Sequence, residues 1–402
     1  MGKIFVGLCP NFSEEVQSSL VKPMIDHRSE EFSTLFTRVM DRMKEAMQTK
    51  NDLVLLTCSG SGGVEAAVRN FIQPEDNVII PCCGLFSNML LSYVSIVGGN
   101  AIKIEAPLGD QPPLKQIEEA FEKTKNVKAF LTVYDETSTG VTFTWFKEAG
   151  ELCKKYNSFF IVDAHSVIGA SDFPLDDYGV DVCVATAQVG MGSPAGICFV
   201  CLSEKAKQYI YKNPPQSVYF DLSSYLDFFR HVGQTPFTTP VEVVVATDEA
   251  LRIALEEGLK IRTKRISICA DAFYAAFDAV GLKGMAKKEL RSDITICYRY
   301  PEDIKERDFR RLLDNKYGMY VYFAIPGTPP QFRITPLVGD PALRESRVLG
   351  SIAAICSVIN ILGAKKVDMG KALEAAVLKL EKYPAYGTAQ YPELDFSKVK
   401  PD

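Results

Sequence analysis

Short apolar runs alternate with segments of helical periodicity from about residue 30 to residue 210. Runs such as DLVLLT (52–57) and FFIVD (159–163) are apolar at nearly every position, which is typical of strands that are buried on both faces. Strands of this kind occur in mostly parallel sheets that helices cover on both sides, so the pattern predicts an α/β fold. The predicted strands lie at 52–57, 77–81, 101–105, 128–134, 159–163 and 181–186, and the predicted helices at 31–49, 63–71, 114–123 and 146–156.

The pattern changes after residue 240. A single long helix is predicted over 241–279, and a charged helix is predicted near 303–313. Strand-like segments surround the second helix, namely ITICYRY (294–300), MYVYFA (319–324) and FRITPL (332–337). This mixture predicts a smaller α+β domain. The predicted division is an N-terminal segment (1–20), a large domain (20–260), a small C-terminal domain (261–385) and a tail (386–402).

Charge and hydropathy argue against two classes of partner. The 402 residues carry 50 acidic and 45 basic side chains, a net charge of −5, without a long run of either sign. Nucleic acids and anionic membranes are bound by basic stripes or clusters, so we expect neither partner. The most apolar stretch, 348–364, is shorter than the roughly 20 residues of a membrane span and contains Ser351, Ser357 and Asn360, so it predicts a buried helix.

Cysteine and histidine usage indicates a reducing compartment and no metal centre. The chain has 11 cysteines, an odd number, and they are scattered along the sequence. Secreted proteins whose cysteines are paired in disulfides usually have an even number at regular spacings. Cys198 and Cys201 form a CxxC, but they lie in a strand-like run, where residues three apart point to opposite faces. Only three histidines are present, and no apolar signal segment stands at the start. We therefore expect a cytoplasmic protein with no bound metal.

The segment TCSGSGG (57–63) lies between a predicted strand and a predicted helix. Small residues let backbone N–H groups approach an anion, and the N-terminus of a helix adds favourable partial charge. The spacing of the glycines does not match the GxGxxG of a dinucleotide site. The segment is therefore consistent with a phosphate site and equally with an ordinary tight turn.

Two further polar clusters follow predicted strands. Asp163-Ala-His-Ser stands at the end of one strand, and Asp135-Glu-Thr-Ser-Thr-Gly follows the strand before it. Ligands of α/β sheets gather at the carboxyl ends of the strands. An aspartate there serves as a metal ligand, as a base or as the partner of a heterocyclic nitrogen, whereas the structural alternative is a set of capping residues.

Eight motifs together resemble the class V aminotransferase family, most closely its serine–pyruvate/alanine–glyoxylate branch. This branch consists of pyridoxal-phosphate enzymes of fold type I, and the resemblance extends from the N-terminus to about residue 365. The motifs are HRSEEF (27–32), LTCSGSGGVEAAV (56–68), ETSTGV (136–141), VDAHSVIGA (162–170), AQVGMGSPAG (187–196), SEKA (203–206), QTPFTTPV (234–241) and FRI (332–334). The resemblance implies the mostly parallel sheet and the small C-terminal domain of that fold.

The resemblance also implies a site for pyridoxal or pyridoxamine 5′-phosphate, a small carboxylate substrate and a homodimer. Arg333 matches the arginine that holds the substrate carboxylate, and Thr238 matches a residue that reaches the phosphate of the other subunit. The matching cofactor contacts are Ser59, Gly60 and Ser61 at the phosphate, Asp163 at the ring nitrogen, Thr137 near the phenolic oxygen, Phe86 stacked on the ring, and Gln188 and His165 beside it.

One position departs from the family in a way that bears on the chemistry. The family has Ser-Gln-Lys after the penultimate strand, and its lysine forms the Schiff base, moves a proton and releases product. This chain has Ala187-Gln188-Val189, and valine has no amine. Binding of the cofactor is therefore expected to be non-covalent, with lysine-dependent chemistry lost or altered.

Two other departures accompany the first. His165 replaces a small aliphatic residue, and it is able to stack on the ring, to act as a base or to fill space. The turn near the N-terminus is altered to Gly7-Leu-Cys-Pro, on the substrate side of the site.

Three hypotheses follow. The first, which we expect, is a protein that binds the cofactor without a covalent bond and acts on a small amino or 2-oxo acid, with His165 and position 189 at its catalytic centre. The second is an inactive relative whose dimer binds a ligand or a partner protein. The third is an engineered valine in an ordinary aminotransferase.

Overall fold

A seven-stranded sheet with helices packed around it forms the largest part of the fold. The computed structural model describes residues 4–5, 12–215, 217–336 and 345–381. The strands are β1 (Ile4–Phe5), β2 (Asp52–Leu56), β3 (Asn77–Cys82), β4 (Asn100–Glu105), β5 (Val127–Val133), β6 (Asp135–Glu136), β7 (Val141–Thr142), β8 (Phe159–Asp163), β9 (Val182–Ala185), β10 (Cys198–Leu202), β11 (Ile296–Arg299), β12 (Met319–Tyr320) and β13 (Gln331–Ile334).

Helices lie between most of these strands. They are α1 (Glu14–Ser19), α2 (Glu30–Ala46), α3 (Gly60–Phe71), α4 (Leu85–Ile96), α5 (Leu114–Lys123), α6 (Phe146–Lys155), α7 (Glu204–Lys212), α8 (Leu222–Val232), α9 (Val241–Glu257), α10 (Leu259–Ala279), α11 (Glu306–Tyr317), α12 (Glu345–Leu362) and α13 (Met369–Leu380). A short 3₁₀ helix spans Lys288–Leu290.

The central sheet has the strand order β2-β10-β9-β8-β5-β3-β4. Neighbours pair in parallel from β9 to β4, whereas β10 pairs antiparallel with both β9 and β2. Six strands therefore run in one direction and β10 alone runs against them. The predicted α/β fold with a mostly parallel sheet is confirmed. The interior strands β8 and β9 are buried along their whole length, as continuous apolar runs require, whereas the edge strand β4 is largely unburied.

Two predicted elements differ from the structure. The helix predicted over 241–279 is two helices, α9 and α10, that meet at Gly258. Gly258 has a φ of +86°, in the left-handed region that glycine tolerates and other residues avoid. The strand predicted at 319–324 is limited to β12, and beyond it Tyr322 makes only an isolated bridge to Arg333.

The structure contains two large hydrophobic cores. One surrounds the central sheet, and the other packs α10, α11, α12 and α13 against β11 and β13. The helix predicted at 348–364 corresponds to α12, which ends at Leu362 and whose Val348, Ile352 and Ile355 are buried in the second core. Among the described residues, α12 is the one helix whose length and apolar composition would suffice to cross a membrane. The predicted domain boundaries stay a prediction, and the predicted tail (386–402) lies outside the described residues.

The parallel strands direct five loops to one edge of the sheet. Since β2, β3, β5, β8 and β9 share a direction, the residues that follow each strand emerge at the same edge. These loops lie at 57–63, 83–87, 134–140, 164–171 and 186–193. They contain most of the site residues that the sequence predicts.

Candidate active site

The loop after β2 leads directly into the N-terminus of α3. Ser59 stands before the helix in an extended conformation, and its side chain makes no capping hydrogen bond. Gly63 allows α3 to approach the sheet, because a Cβ atom at this position would lie 2.3 Å from Sγ of Cys198. Ser59 and Ser61 are exposed, whereas Gly60 is buried. The first N–H groups of a helix have no partner within it, so this loop has the features of an anion site.

Asp163 and His165 form a hydrogen-bonded pair where β8 ends. Oδ1 of Asp163 accepts a hydrogen bond of 3.2 Å from the backbone N–H of His165 and lies 2.8 Å from Nδ1 of its imidazole. Among the described residues, both hydrogen bonds to this carboxylate end on Oδ1, so Oδ2 is left for a ligand. The side chain of Asp163 is 9% exposed, and that of His165 is 29% exposed.

The protonation of His165 depends on its acidic neighbours. Burial disfavours the charged imidazole, but Asp163, with Asp135 and Glu136 farther away, raises the pKa of His165 above its ordinary value. Because Nδ1 faces Asp163, the other ring nitrogen, Nε2, is the atom that remains to exchange a proton with a ligand.

Glu136 fixes the segment that carries Phe86. Its fully buried carboxylate accepts hydrogen bonds from the N–H groups of Phe86 (3.3 Å) and Ser87 (2.8 Å) in the first turn of α4. A negative charge at this end of a helix is stabilising. The carboxylate also accepts from the hydroxyl groups of Ser87 and Ser138. The ring of Phe86 is thereby held with its centroid 6.3 Å from that of His165, at an interplanar angle of 67°.

The turn after β9 carries Gln188 and Val189. The hydroxyl group of Thr186 donates to the carbonyl oxygen of His165 at 2.8 Å, which joins this turn to the loop after β8. The side chain of Val189 is buried at 5% exposure, and Gln188 is half-buried. None of the five loops at this edge contains a lysine.

The two lysines that follow this turn in the sequence lie elsewhere. Nζ of Lys205 lies 2.9 Å from the carboxylate of Asp181, and Nζ of Lys207 lies 2.8 Å from that of Asp52. Asp181 precedes β9 and Asp52 begins β2, so both lysines bind at the opposite edge of the sheet. A five-residue strand is about 16 Å long, which separates these amines from the loops that carry Asp163 and Val189.

Arg333 lies on β13 and is 3% exposed. Its guanidinium donates to the carbonyl oxygens of Thr137 (3.1 Å) and Phe323 (3.3 Å) and lies 5.4 Å from the centre of the Tyr322 ring. Burial lowers the pKa of Arg333. Among the described residues no carboxylate forms an ion pair with it. A buried cation held only by carbonyl groups and an aromatic face is suited to an anionic ligand.

Most of the predicted site residues therefore lie in two connected clusters. The first contains Gly60, Phe86, Asp163 and His165, since a Cβ atom at Gly60 would lie 2.9 Å from Cβ of His165. The second contains Thr137 and Arg333, and the ETSTG segment joins the two through Glu136.

Thr238 is separate from these clusters, since it is exposed in the loop before α9 and no hydrogen bond between described residues joins it to them. The altered turn at residues 7–10 lies outside the described residues.

Sequence reasoning missed two residues that shape the site. Glu136 gave no capping signal, because it binds the first turn of α4 although it lies 50 residues after Phe86 in the chain. Thr186 gave no local signal, since its partner lies 21 residues away. Within the described part of the chain, no group of three or more His, Cys, Asp or Glu side chains is arranged to hold a metal ion.

Comparison with known proteins identifies the family. The family described as "Aminotransferase class-V" matches residues 9–322 of this chain. The chain belongs to the class-V aminotransferase family. An uncharacterized aminotransferase of Methanocaldococcus jannaschii is 33% identical over 369 residues, which cover 91% of this chain and 95% of that protein. A serine–glyoxylate aminotransferase of Methylorubrum extorquens is 30% identical over 400 residues, covering 95% and 96% of the two chains.

A solved structure of a class-V relative has the same fold. The ureidoglycine–glyoxylate aminotransferase of Bacillus subtilis superposes with a TM-score of 0.86 at 26% identity, over 94% of this chain and 98% of that one. The predicted fold type I architecture and the predicted family are thus confirmed. Arg333 lies beyond the matched range of the family, and its role stays a prediction.

Class-V aminotransferases use pyridoxal or pyridoxamine 5′-phosphate, and the residues present fit two parts of this group. The N-terminus of α3 is suited to a phosphate, and Oδ2 of Asp163 is suited to a protonated ring nitrogen. The rings of Phe86 and His165 do not form a slot with parallel walls, since their centroids are 6.3 Å apart at an interplanar angle of 67°. A ring stacked between two parallel faces needs a contact of about 3.5 Å on each side, so stacking on both residues would require one of them to rotate.

Proposed function

We propose that this chain binds pyridoxal or pyridoxamine 5′-phosphate without a covalent bond and acts on a small amino or 2-oxo acid by amino-group chemistry. The observation that carries the proposal is a buried Asp163 carboxylate with Oδ2 unbonded among the described residues, at the same sheet edge as a buried Val189. His165 occupies only Oδ1 of this carboxylate, so the second oxygen supports a ligand that donates a hydrogen bond or is cationic at this point.

The residues that would hold the cofactor are those of the first cluster and the loop before α3. Ser59, Gly60 and Ser61 would bind the phosphate, and Asp163 would keep the ring nitrogen protonated. When bound, the cofactor supplies an electron sink for reactions at the α-carbon of an amino acid. Thr137, Phe86 and Gln188 are proposed ring contacts on the strength of the family match.

The absence of an amine at position 189 determines how the cofactor is held. Val189 offers only van der Waals contact, so binding depends on phosphate and ring contacts and is reversible. The proton that a lysine would carry needs another group. We assign it to Nε2 of His165, since Asp163 holds Nδ1 and raises the pKa of the ring.

Arg333 is the proposed site for the substrate carboxylate. A planar guanidinium binds a carboxylate through two parallel hydrogen bonds. Two relatives, the serine–glyoxylate and the ureidoglycine–glyoxylate aminotransferases, are named for glyoxylate, which supports a small 2-oxo acid as one substrate. The aromatic side chain of Tyr322 against the guanidinium adds a wall suited to a compact ligand.

A homodimer is part of the proposal. Thr238 is exposed in its own chain, which is compatible with a role at the phosphate of a second copy. The mass in solution, from small-angle scattering at working concentration, tests this point. A mass of twice the 44.5 kDa chain is expected, and a monomeric mass would remove Thr238 from the site.

The experiment that tests the function uses the purified protein and its absorption spectrum. Addition of pyridoxal or pyridoxamine 5′-phosphate is expected to give a saturable spectral change that dialysis reverses. Borohydride treatment of the pyridoxal form is expected to fix no cofactor at the site. If neither compound binds at millimolar concentration, the proposal is wrong, and the chain is an inactive relative that binds another ligand or a partner.

A further inference from the structure

Arg262 is a fully buried arginine of α10 that lies behind the candidate site. Its Nη2 and Nε atoms donate to the carbonyl oxygen of Gly190 at 2.6 and 3.1 Å. Nε also donates to the carbonyl oxygen of Gly169 at 3.1 Å. Gly190 directly follows Val189, and Gly169 lies in the loop that follows Asp163 and contains His165. One guanidinium therefore bonds to both loops that carry the site.

A buried carboxylate fixes the direction of this guanidinium. Nη1 of Arg262 lies 2.6 Å from Glu257, and Nε of Arg265 lies 2.6 Å from the other oxygen of the same carboxylate. Both arginine side chains are 0% exposed, and that of Glu257 is 1% exposed. Arg262 and Arg265 both bind the carboxylate of Glu257, and Arg262 also binds the carbonyl dipoles of the two loops. The arrangement needs accurate geometry to be stable.

The two loops are in close backbone contact where Arg262 joins them. A Cβ atom at Gly190 would lie 1.9 Å from the carbonyl oxygen of Ile168, so only glycine permits this approach. Thr186 joins the same loops nearer to the sheet through its bond to the carbonyl oxygen of His165. The loops are thus tied at both ends, by Thr186 near the sheet and by Arg262 at the far side.

We propose that Arg262 is a positioning residue of the active site, which sets the position of the Val189 turn relative to Asp163 and His165. It binds backbone carbonyls, and its influence reaches a ligand only through these loops. A guanidinium is needed because an ammonium group cannot span two carbonyls and a carboxylate in one plane. The effect on cofactor binding rests on the proposed function, whereas the effect on His165 does not.

The test compares Arg262→Lys with Arg265→Lys. Arg265 is one turn farther along α10, is equally buried and pairs with the same Glu257. Arg265→Lys therefore replaces a buried guanidinium beside Glu257 by an ammonium group, as Arg262→Lys does. The chain has three histidines, His27, His165 and His231, and the imidazole C2–H resonances are assigned by replacing His27 and His231 with Gln. The NMR titration is run without cofactor.

Arg262→Lys is expected to change the acid dissociation constant of His165 at least about threefold, because the distance between the imidazole of His165 and the carboxylate of Asp163 changes. The resonances of His27 and His231 serve as internal references, and Arg265→Lys is expected to leave His165 unchanged. Equal changes in both variants, or no change in Arg262→Lys, would overturn the proposal. If Arg262→Lys does not fold, Glu257→Gln is used instead. This substitution weakens the ion pair with the guanidinium of Arg262 and keeps the shape of the side chain at position 257.

A second measurement uses pyridoxamine 5′-phosphate as the probe. The dissociation constant is expected to rise about tenfold in Arg262→Lys and less than threefold in Arg265→Lys. If His165 responds to Arg262→Lys as expected but neither the natural protein nor the variants bind the probe, the positioning role stands and the proposed function fails. If the probe binds all three proteins equally, Arg262 does not position the site.

Discussion

Nδ1 of His165 lies 2.8 Å from Oδ1 of Asp163, and the Cβ atom of the same histidine packs directly on Gly60. The imidazole is thus held between a carboxylate and the first turn of α3, the two groups that the proposed cofactor would use. A change at Gly60 therefore acts on His165, and a change at His165 acts on Asp163. This coupling makes the glycine at position 60 testable without any ligand.

The first prediction concerns Gly60→Ala. An added Cβ would lie 2.9 Å from Cβ of His165 and 3.1 Å from its Cγ, so one of the two side chains has to shift. We expect the free energy of unfolding, measured in urea, to fall by about 1–3 kcal/mol. In a His165→Gly background both contacting atoms are absent, so the same substitution is expected to cost at least about 1 kcal/mol less.

Gly350→Ala provides the matched control. Gly350 lies in the interior of α12 with no atom within 4 Å of an added Cβ, so alanine there is expected to stabilise by about 0.5–1 kcal/mol. Strictly additive effects of Gly60→Ala and His165→Gly would show that the two residues are not in the contact described above.

The second prediction concerns Arg333→Lys. The substitution keeps a positive charge but loses the planar pair of donors, so binding of glyoxylate or pyruvate to the pyridoxamine phosphate form is expected to weaken by at least about 1–2 kcal/mol. Isothermal titration measures the affinity. Arg299→Lys is the control, since Arg299 lies on the paired strand β11 and is exposed. Equal affinity of the natural protein and Arg333→Lys for both acids would remove Arg333 from the substrate site.

The strands of this fold are predictable from sequence because their burial on both faces makes the sequence continuously apolar. FFIVD (159–163) coincides with β8, and the helix predicted at 114–123 coincides with α5. The break between α9 and α10 was not predictable in the same way. Helical periodicity continues on both sides of Gly258, and a single glycine is compatible with an unbroken helix.

The site divides along the same lines. The polar segments that contain Ser59, Asp163 and Thr137 were predicted because each stands at the end of an apolar run, and parallel strands bring such positions to one edge. The individual roles of these residues were implied by the resemblance to class V aminotransferases. Arg262 gave no signal because its carbonyl partners lie 72 and 93 residues away in the chain. Contacts of that kind depend on the folded arrangement of helices and loops, which no local pattern encodes.

The third prediction uses the pH dependence of stability. Burial raises the pKa of Asp135 from 3.8 to about 7, against the opposing bonds of Thr142 and Ser292. Between these two values the folded state binds the proton more tightly than the unfolded state, so stability is lost as the pH rises from about 4 to about 7. We expect Asp135→Asn to remove this loss, on the order of 4 kcal/mol, in urea unfolding across that range.

Asp110→Asn is a control of opposite sign. Lys287 lowers the pKa of Asp110, so that carboxylate contributes stability above its ordinary pKa and loses it as the pH falls. Its replacement is therefore expected to reduce stability at neutral pH and to leave the loss between pH 4 and 7 in place. An unchanged pH profile in Asp135→Asn would mean that Asp135 is ionised in the folded protein at neutral pH.

The last prediction concerns Val189→Lys. Val189 lies in the turn that Thr186 ties to His165, so a lysine there would start beside the Asp163–His165 pair. If the cofactor binds as proposed, an amine at this position is already close to its aldehyde carbon, and proximity of this kind strongly favours bond formation. Pyridoxal 5′-phosphate is expected to become fixed to the chain by borohydride in Val189→Lys, and peptide mass mapping is expected to locate it at position 189.

Val189→Met is the control for that substitution, because methionine extends into the same space without an amine. It is expected to bind pyridoxal 5′-phosphate reversibly, with none fixed by borohydride at the site. Fixation at Lys205 or Lys207 would point to nonspecific surface reaction, since their amines bind Asp181 and Asp52 at the opposite edge of the sheet. If Val189→Lys binds the cofactor but none is fixed at position 189, the turn does not present that residue to the cofactor, and Val189 does not occupy the position of the family lysine.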